Sequence, residues 1–132
     1  MLQEGVYALL ISTPSITDLT GTRGIYSNKS PEAPTLPFIV INKIGGKGIV
    51  VFEGRSALRT ATLSFRCFAN TAQGVEALLT AVRDVFDGYK GVLPDGTDVD
   101  LGQVDNESDT FEFPPFTYQA PLDIEFWFRE PE

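Results

Sequence analysis

The side chains able to do chemistry in this 132-residue chain are few, and most are carboxylates. There is no histidine, which removes the commonest general base, the commonest zinc ligand and every Ser-His or Cys-His dyad. Asp95, Asp98 and Asp100 crowd together, and Asp105, Glu107 and Asp109 follow. In an extended segment Asp98 and Asp100 share a face. Paired carboxylates do acid–base work when their surroundings drive their pKa values apart, and no apolar or basic setting is visible beside these. The Asp-x-Asp-x-Asp-Gly loop of an EF-hand, with its Glu at the twelfth place, is absent. Gly45-Gly46-Lys47-Gly48 lacks the Lys-Ser/Thr and the following helix of a phosphate cradle, and Gly21-Thr22-Arg23-Gly24 resembles one even less. Lys43, Lys47, Arg55, Arg59 and Arg66 populate one region. Arg59 and Arg66 are an odd number of residues apart, so they face opposite sides of a strand; protection of sheet edges suits them better than a nucleic-acid stripe. The reading is therefore no catalytic residue, no metal site and no cofactor. A small carboxylate-based metal- or ligand-binding module is the alternative.

The elements around these residues are plainer. Arg59 to Phe68 alternates with period two, with Ala61, Leu63, Phe65 and Cys67 on one side and Thr60, Thr62, Ser64 and Arg66 on the other. The strand runs into a helix predicted to start at an Asn70 N-cap, with Gln73 reaching back, and to end at Gly88 in a left-handed C-cap. Val75, Leu78, Leu79, Val82 and Phe86 fall on one helical face. Strand and helix must cover each other. The lone Cys67 sits on the inward face as core filler.

Leu2 to Ser12 reads as a short helix stopped by Thr13-Pro14, with a further turn carrying Ile16 and Leu19 inward. Ile25-Tyr26 suits a brief extended pairing, and 27–37, with Pro31, Pro34 and Pro37, is a loop. Phe38 to Ile44 is a strand whose continuous apolar start is covered on both faces, and Gly45 to Gly48 is a break. Ile49, Val50, Val51 and Phe52 form another strand candidate, with a turn through Arg55. Apolar strand of this kind needs a cover, either a partner subunit or packing within the domain.

Tyr89 to Leu93 is a connector and Pro94-Asp95-Gly96 a turn. Val99, Leu101 and Val104 alternate as a modest strand, and Asp105 to Asp109 form an acidic loop. Tyr118 to Phe128 alternates most clearly, with Ala120, Leu122, Ile124, Phe126 and Phe128 on the inner face. Pro121 argues for an edge or bulge. Trp127 stands on the outer face among polar neighbours, where tryptophan is a common interface anchor. The order of elements predicts an α+β domain spanning 1–132. Its mostly antiparallel sheet has about four to five strands, with an N-terminal helix and one long helix on one face.

The apolar fraction is 42% with ten Phe, which says globular. No apolar run reaches the roughly 20 residues that span a bilayer, so a soluble chain without a membrane role is expected. The net charge of −8 is uneven: residues 1–86 carry +2 and residues 87–132 carry −10. That sign opposes tight nucleic-acid binding. Opposed charges on two surfaces suit head-to-tail contact between copies, while acidic loops that merely aid solubility would give the same totals.

Taken in order, these pieces resemble the small tail-completion, or tail-terminator, proteins of long-tailed bacteriophages, prophages and gene transfer agents. The resemblance lies in a Leu-rich first helix, Gly21-Thr22-Arg23-Gly24-Ile25-Tyr26, and Leu36-Pro37-Phe38-Ile39-Val40 after a Pro-rich loop. It continues through Leu63-Ser64-Phe65-Arg66-Cys67-Phe68-Ala69, the helix from Ala72 closing at Phe86-Asp87-Gly88-Tyr89, and Leu122-Asp123-Ile124-Glu125-Phe126-Trp127. Residues 92–109 are more acidic than that pattern. The resemblance implies a structural virion protein at the head–tail junction, assembled in the bacterial host cytoplasm. It forms a ring, usually of six copies, on the head-proximal end of the tail tube. Its partners are other copies of itself, the tail tube protein and the head-completion or connector protein. DNA passes through the bore without specific binding. Ile49, Val50, Val51, Phe52, Arg55 and Trp127 are then the expected subunit or tube contacts, and Asp105, Glu107 and Asp109 the acidic bore lining. Another head–tail joining or neck protein of similar fold fits the same residues.

Overall fold

The computed structural model describes residues 2–20, 24–27, 37–48, 59–107, 111–113 and 117–129. Ten elements follow one another: α1 (Leu2–Ile11), α2 (Pro14–Thr20), β1 (Ile25–Ser27), β2 (Phe38–Gly48), β3 (Arg59–Ala69), α3 (Ala72–Phe86), β4 (Gly91–Val92), β5 (Asp98–Glu107), β6 (Phe111–Phe113) and β7 (Thr117–Arg129). The α+β class is as read from the sequence, but the sheet is larger. Among the described residues seven strands take part, in the order β1-β2-β3-β7-β5-β4, with β6 also on β7. β1 pairs parallel with β2, so the sheet is mixed; every other pairing is antiparallel. β4 and β6 are two and three residues long, too short for an alternating pattern to reveal.

The central layer is β2, β3 and β7. β3 and β7 stay in register over eleven pairs, from Arg59↔Phe128 to Ala69↔Tyr118. Ala61, Leu63, Phe65 and Cys67 of β3 and Ala120, Leu122, Ile124, Phe126 and Phe128 of β7 are all buried, as the alternation requires. They share one contiguous core with Leu2, Val6 and Leu10 of α1, Ile16 of α2 and the five apolar residues of α3. All three helices therefore lie on the same side of the sheet.

The helix that the apolar stripe predicts is present, with one shift at its start. Thr71, not Asn70, is the N-cap: its backbone is extended and its hydroxyl accepts the Gly74 N–H at 2.9 Å. A one-residue error follows naturally where Asn70 and Thr71 are both good caps. Val75, Leu78, Leu79, Val82 and Phe86 are all buried. Gly88 has φ +78°, the left-handed conformation that glycine takes at least cost after a helix. Its N–H donates to Gly102 O at 2.7 Å, and Gly102 N–H donates to Tyr89 O at 2.9 Å, tying the end of α3 to β5. Gly102 is glycine for a steric reason: a Cβ there would stand 2.7 Å from Phe86 O. Phe86 anchors that end, 5.5 Å from Phe65 in a stacked pair and 5.5 Å from Phe126 edge to face.

Four further expectations change. β2 does not stop at Lys43–Ile44 but continues to Gly48, crossing the glycines with a register shift between Lys43 and Gly45. Pairing along β3 supplies backbone hydrogen bonds that the glycines alone would not hold. Asp105 to Glu107 belong to β5 rather than to a loop, because β7 offers them a pairing edge. Leu19 is 38% exposed instead of inward, whereas Ile16 is fully buried. Pro121 lies in the central strand β7, opposite Arg66 of β3. On its other side the described pairing of β5 ends at Leu122 and that of β6 at Gln119. The missing N–H thus falls in a gap in the ladder.

Pro14 opens α2 immediately after Thr13, whose hydroxyl donates to Leu9 O at 2.6 Å as α1 closes. Gln3 Nε2 donates to Ser27 Oγ at 2.8 Å and Ile41 O at 3.1 Å, pinning α1 to β1 and β2.

Candidate assembly surface

With the helices on one side, the other face of the sheet carries the alternate residues of β2, β3, β7 and β5, of which Phe38, Val40 and Ser64 are buried. Phe38, Phe68 and Gln119 form one row across three strands; Val40, Arg66 and Pro121 form the next; Asn42, Ser64 and Asp123 the third. Phe38 and Phe68 stack with ring centroids 4.5 Å apart, and Tyr26 meets Phe38 edge to face at 5.9 Å. Further along the sheet, Trp127 stands between Thr60 of β3 and Leu101 of β5. Trp127 is half-buried, Leu101 is 36% exposed and Ile44 56% exposed. A depression of about 330 Å³ opens among Ile44, Ser64, Arg66, Gln119, Pro121 and Asp123. Trp127, Leu101 and Ile44 are thus large apolar side chains partly exposed among polar ones.

The predicted contact residues are only partly placed. Trp127 lies on this face, as the alternation implied. Ile49, Val50, Val51, Phe52 and Arg55 lie outside the described residues. Asp105 is exposed on β5, at the register shift between Val104 and Asn106. Glu107 ends β5, its backbone opposite Leu122, and Asp109 lies outside the described residues.

The carboxylates do not gather into a reactive centre among the described residues, where no group of three or more His, Cys, Asp or Glu side chains is placed to hold a metal ion. Asp98 and Asp100 do not act as a pair. Asp100 falls at the shift between Val99 and Leu101 and is taken by Arg129, whose Nη1 lies 2.7 Å from Oδ2 and 3.0 Å from Oδ1. This basic neighbour, 29 residues away, leaves no local signal in the sequence. Partial burial works against ionisation of Asp95. The Thr97 N–H, donating to Asp95 Oδ1 at 3.0 Å, is among the interactions that outweigh it and hold the carboxyl below its ordinary value. Burial pushes the Cys67 thiol far up, which keeps it protonated and poorly nucleophilic. Among the described residues no helix is long and apolar enough to cross a membrane.

A second concavity escaped the sequence reading. It lies between α2 and α3, is about 690 Å³ in volume, and is lined by Leu19 and Asp18 of α2 and by Ala77, Thr80, Ala81 and Asp84 of α3, among others. Its signal was a stripe of small residues on the polar side of α3, which an analysis of the apolar stripe passes over.

Among the described residues the helices lie on one side of a mixed sheet, which defines a small α+β protein. The model of the tail completion protein gp17 family matches residues 4–129, and the chain belongs to that family. The fold is similar to that of a chain in a structure described as the virion of a native gene transfer agent particle, with a TM-score of 0.72 at 17% identity. That likeness covers 98% of this chain and 95% of the other. Comparison with curated protein sequences gives no significant match.

Proposed function

We propose that this protein is a structural component of the virion, acting as one domain that forms a ring of six copies on the head-proximal end of the tail tube. There it ends tube polymerisation and joins the tail to the head-completion or connector protein. It assembles in the bacterial host cytoplasm and does no catalysis. The observation that carries the reading is the tail completion family match over residues 4–129. The shared fold with a chain of a gene transfer agent virion supports it, as do the partly exposed side chains of Trp127, Leu101 and Ile44.

The charge distribution agrees with this role. Heterologous contacts between unlike surfaces close into rings when the rotation permits, and residues 1–86 and 87–132 differ in sign. Asp105, Glu107 and Asp109 line the bore in this reading. A negative wall repels phosphates and lets DNA slide, whereas a basic wall would hold it. The test is the mass of the purified protein with and without tail tubes. A hexamer, free or formed on tubes, is the expected result. A chain that stays monomeric with tubes present overturns the ring.

A further inference from the structure

Resting on the ring reading above, we infer that the groove between α2 and α3 receives the basic, apolar segment 43–59 of a neighbouring copy. The groove has an apolar body and an acidic rim. Leu19, one of the few large apolar side chains exposed among the described residues, forms a wall. Ala77, Thr80 and Ala81 form a floor of small side chains, over which another backbone can come close. Asp18, Glu76 and Asp84 stand around it, and no Lys or Arg is among its described lining residues. An occupant must therefore be apolar along its length and cationic at its flanks.

This chain contains such a segment. Residues 43–59 hold Lys43, Lys47, Arg55 and Arg59 against the single acid Glu53, and between them run Ile49, Val50, Val51 and Phe52. Lys43 and Ile44, within the paired end of β2, and Arg59, at the start of β3, are exposed. A volume of about 690 Å³ accommodates several side chains of this size. The segment departs from the paired ends of β2 and β3, at Gly48 and Arg59, while the groove lies in the helical layer. Groove and segment are different parts of one sequence, so in the ring each copy gives its segment to the next and receives that of the one before.

Two charge-reversed variants test the contact. One carries Asp18→Lys with Asp84→Lys, the other Lys47→Glu with Arg55→Glu. Each alone places like charges in the contact and should lose at least tenfold in ring formation on tail tubes. Mixed in equal amounts, the two should recover rings, because alternating copies restore opposite charges at every contact. Melting curves check that each variant folds. Where one does not, the neutral pairs Asp18→Asn with Asp84→Asn and Lys47→Gln with Arg55→Gln replace it, and each should weaken assembly and reduce its salt sensitivity. Wild-type rings with unimpaired variants overturn the groove contact and leave the ring standing. Impaired variants that do not rescue each other also overturn it, and assign the groove to a different protein. A wild-type chain that never forms rings overturns the ring reading itself.

Discussion

Trp127 on β7 stands directly opposite Leu101 on β5, on the face of the sheet away from α1, α2 and α3. The pair results from simple alternation: Phe126 and Phe128 turn into the core, so Trp127 must turn out. In the proposed ring this half-buried aromatic beside an exposed leucine is the anchor of a contact with another protein. Trp127→Ala should weaken assembly by about 2 kcal/mol, roughly thirtyfold, while the isolated chain keeps its fold. Trp127→Phe should retain most of the binding. Co-sedimentation with tail tubes and a melting curve of the free protein separate the two effects.

Phe86 is the packing counterpart of Trp127 on the other side of the sheet. It is fully buried and touches Phe65, Phe126 and Tyr89 with ring centroids 5.5 to 5.9 Å apart. Phe86→Ala removes these contacts and leaves a cavity where α3 meets β5, at an expected cost of about 3–5 kcal/mol. Urea unfolding at neutral pH measures it. Trp127→Ala should shift the same curve far less.

The start of α3 gives a sharper comparison. Thr71 Oγ1 caps Gly74 N–H, whereas neighbouring Asn70 is exposed and outside the helix. Thr71→Ala should cost about 1 kcal/mol. Asn70→Ala should be within about 0.5 kcal/mol of wild type. Equal losses would mean that the two residues share the cap.

Acid sensitivity should trace partly to Asp95. Its carboxyl is held below the ordinary aspartate value, so the folded state binds its proton less readily than the unfolded state does. The resulting stabilisation is complete above the unfolded-state pKa, about 4, and is lost as pH falls through the lower folded-state value. Asp95→Asn should therefore be less stable than wild type at neutral pH, and the gap should close as the solution is acidified. Thermal melts from pH 7 to pH 2 read this. A gap that widens in acid contradicts the assignment.

Much of the architecture could be read where one periodicity ran long. β3, β7 and the buried stripe of α3 each extend over at least ten residues with one face apolar, and no tertiary contact is needed to see them. What escaped depended on partners remote in sequence. β2 continues through Gly45 to Gly48 because β3 is there to pair with it, and Asp105 joins a strand because β7 is adjacent. Arg129 reaches Asp100 across a strand pair. The groove between α2 and α3 was hidden for a different reason: it is made by small side chains, which leave no peak in hydrophobicity. Trp127 was legible as an outward aromatic, but alternation put its apolar neighbour Leu101 on the same face as Val99. The register shift between them turns Leu101 outward.

In the proposed role, copies of this protein close the end of a tail tube. Electron microscopy of particles assembled without it tests that most directly. Tubes of uncontrolled length, or heads left without tails, are the predicted result. Particles with tails of normal length joined to their heads would contradict it.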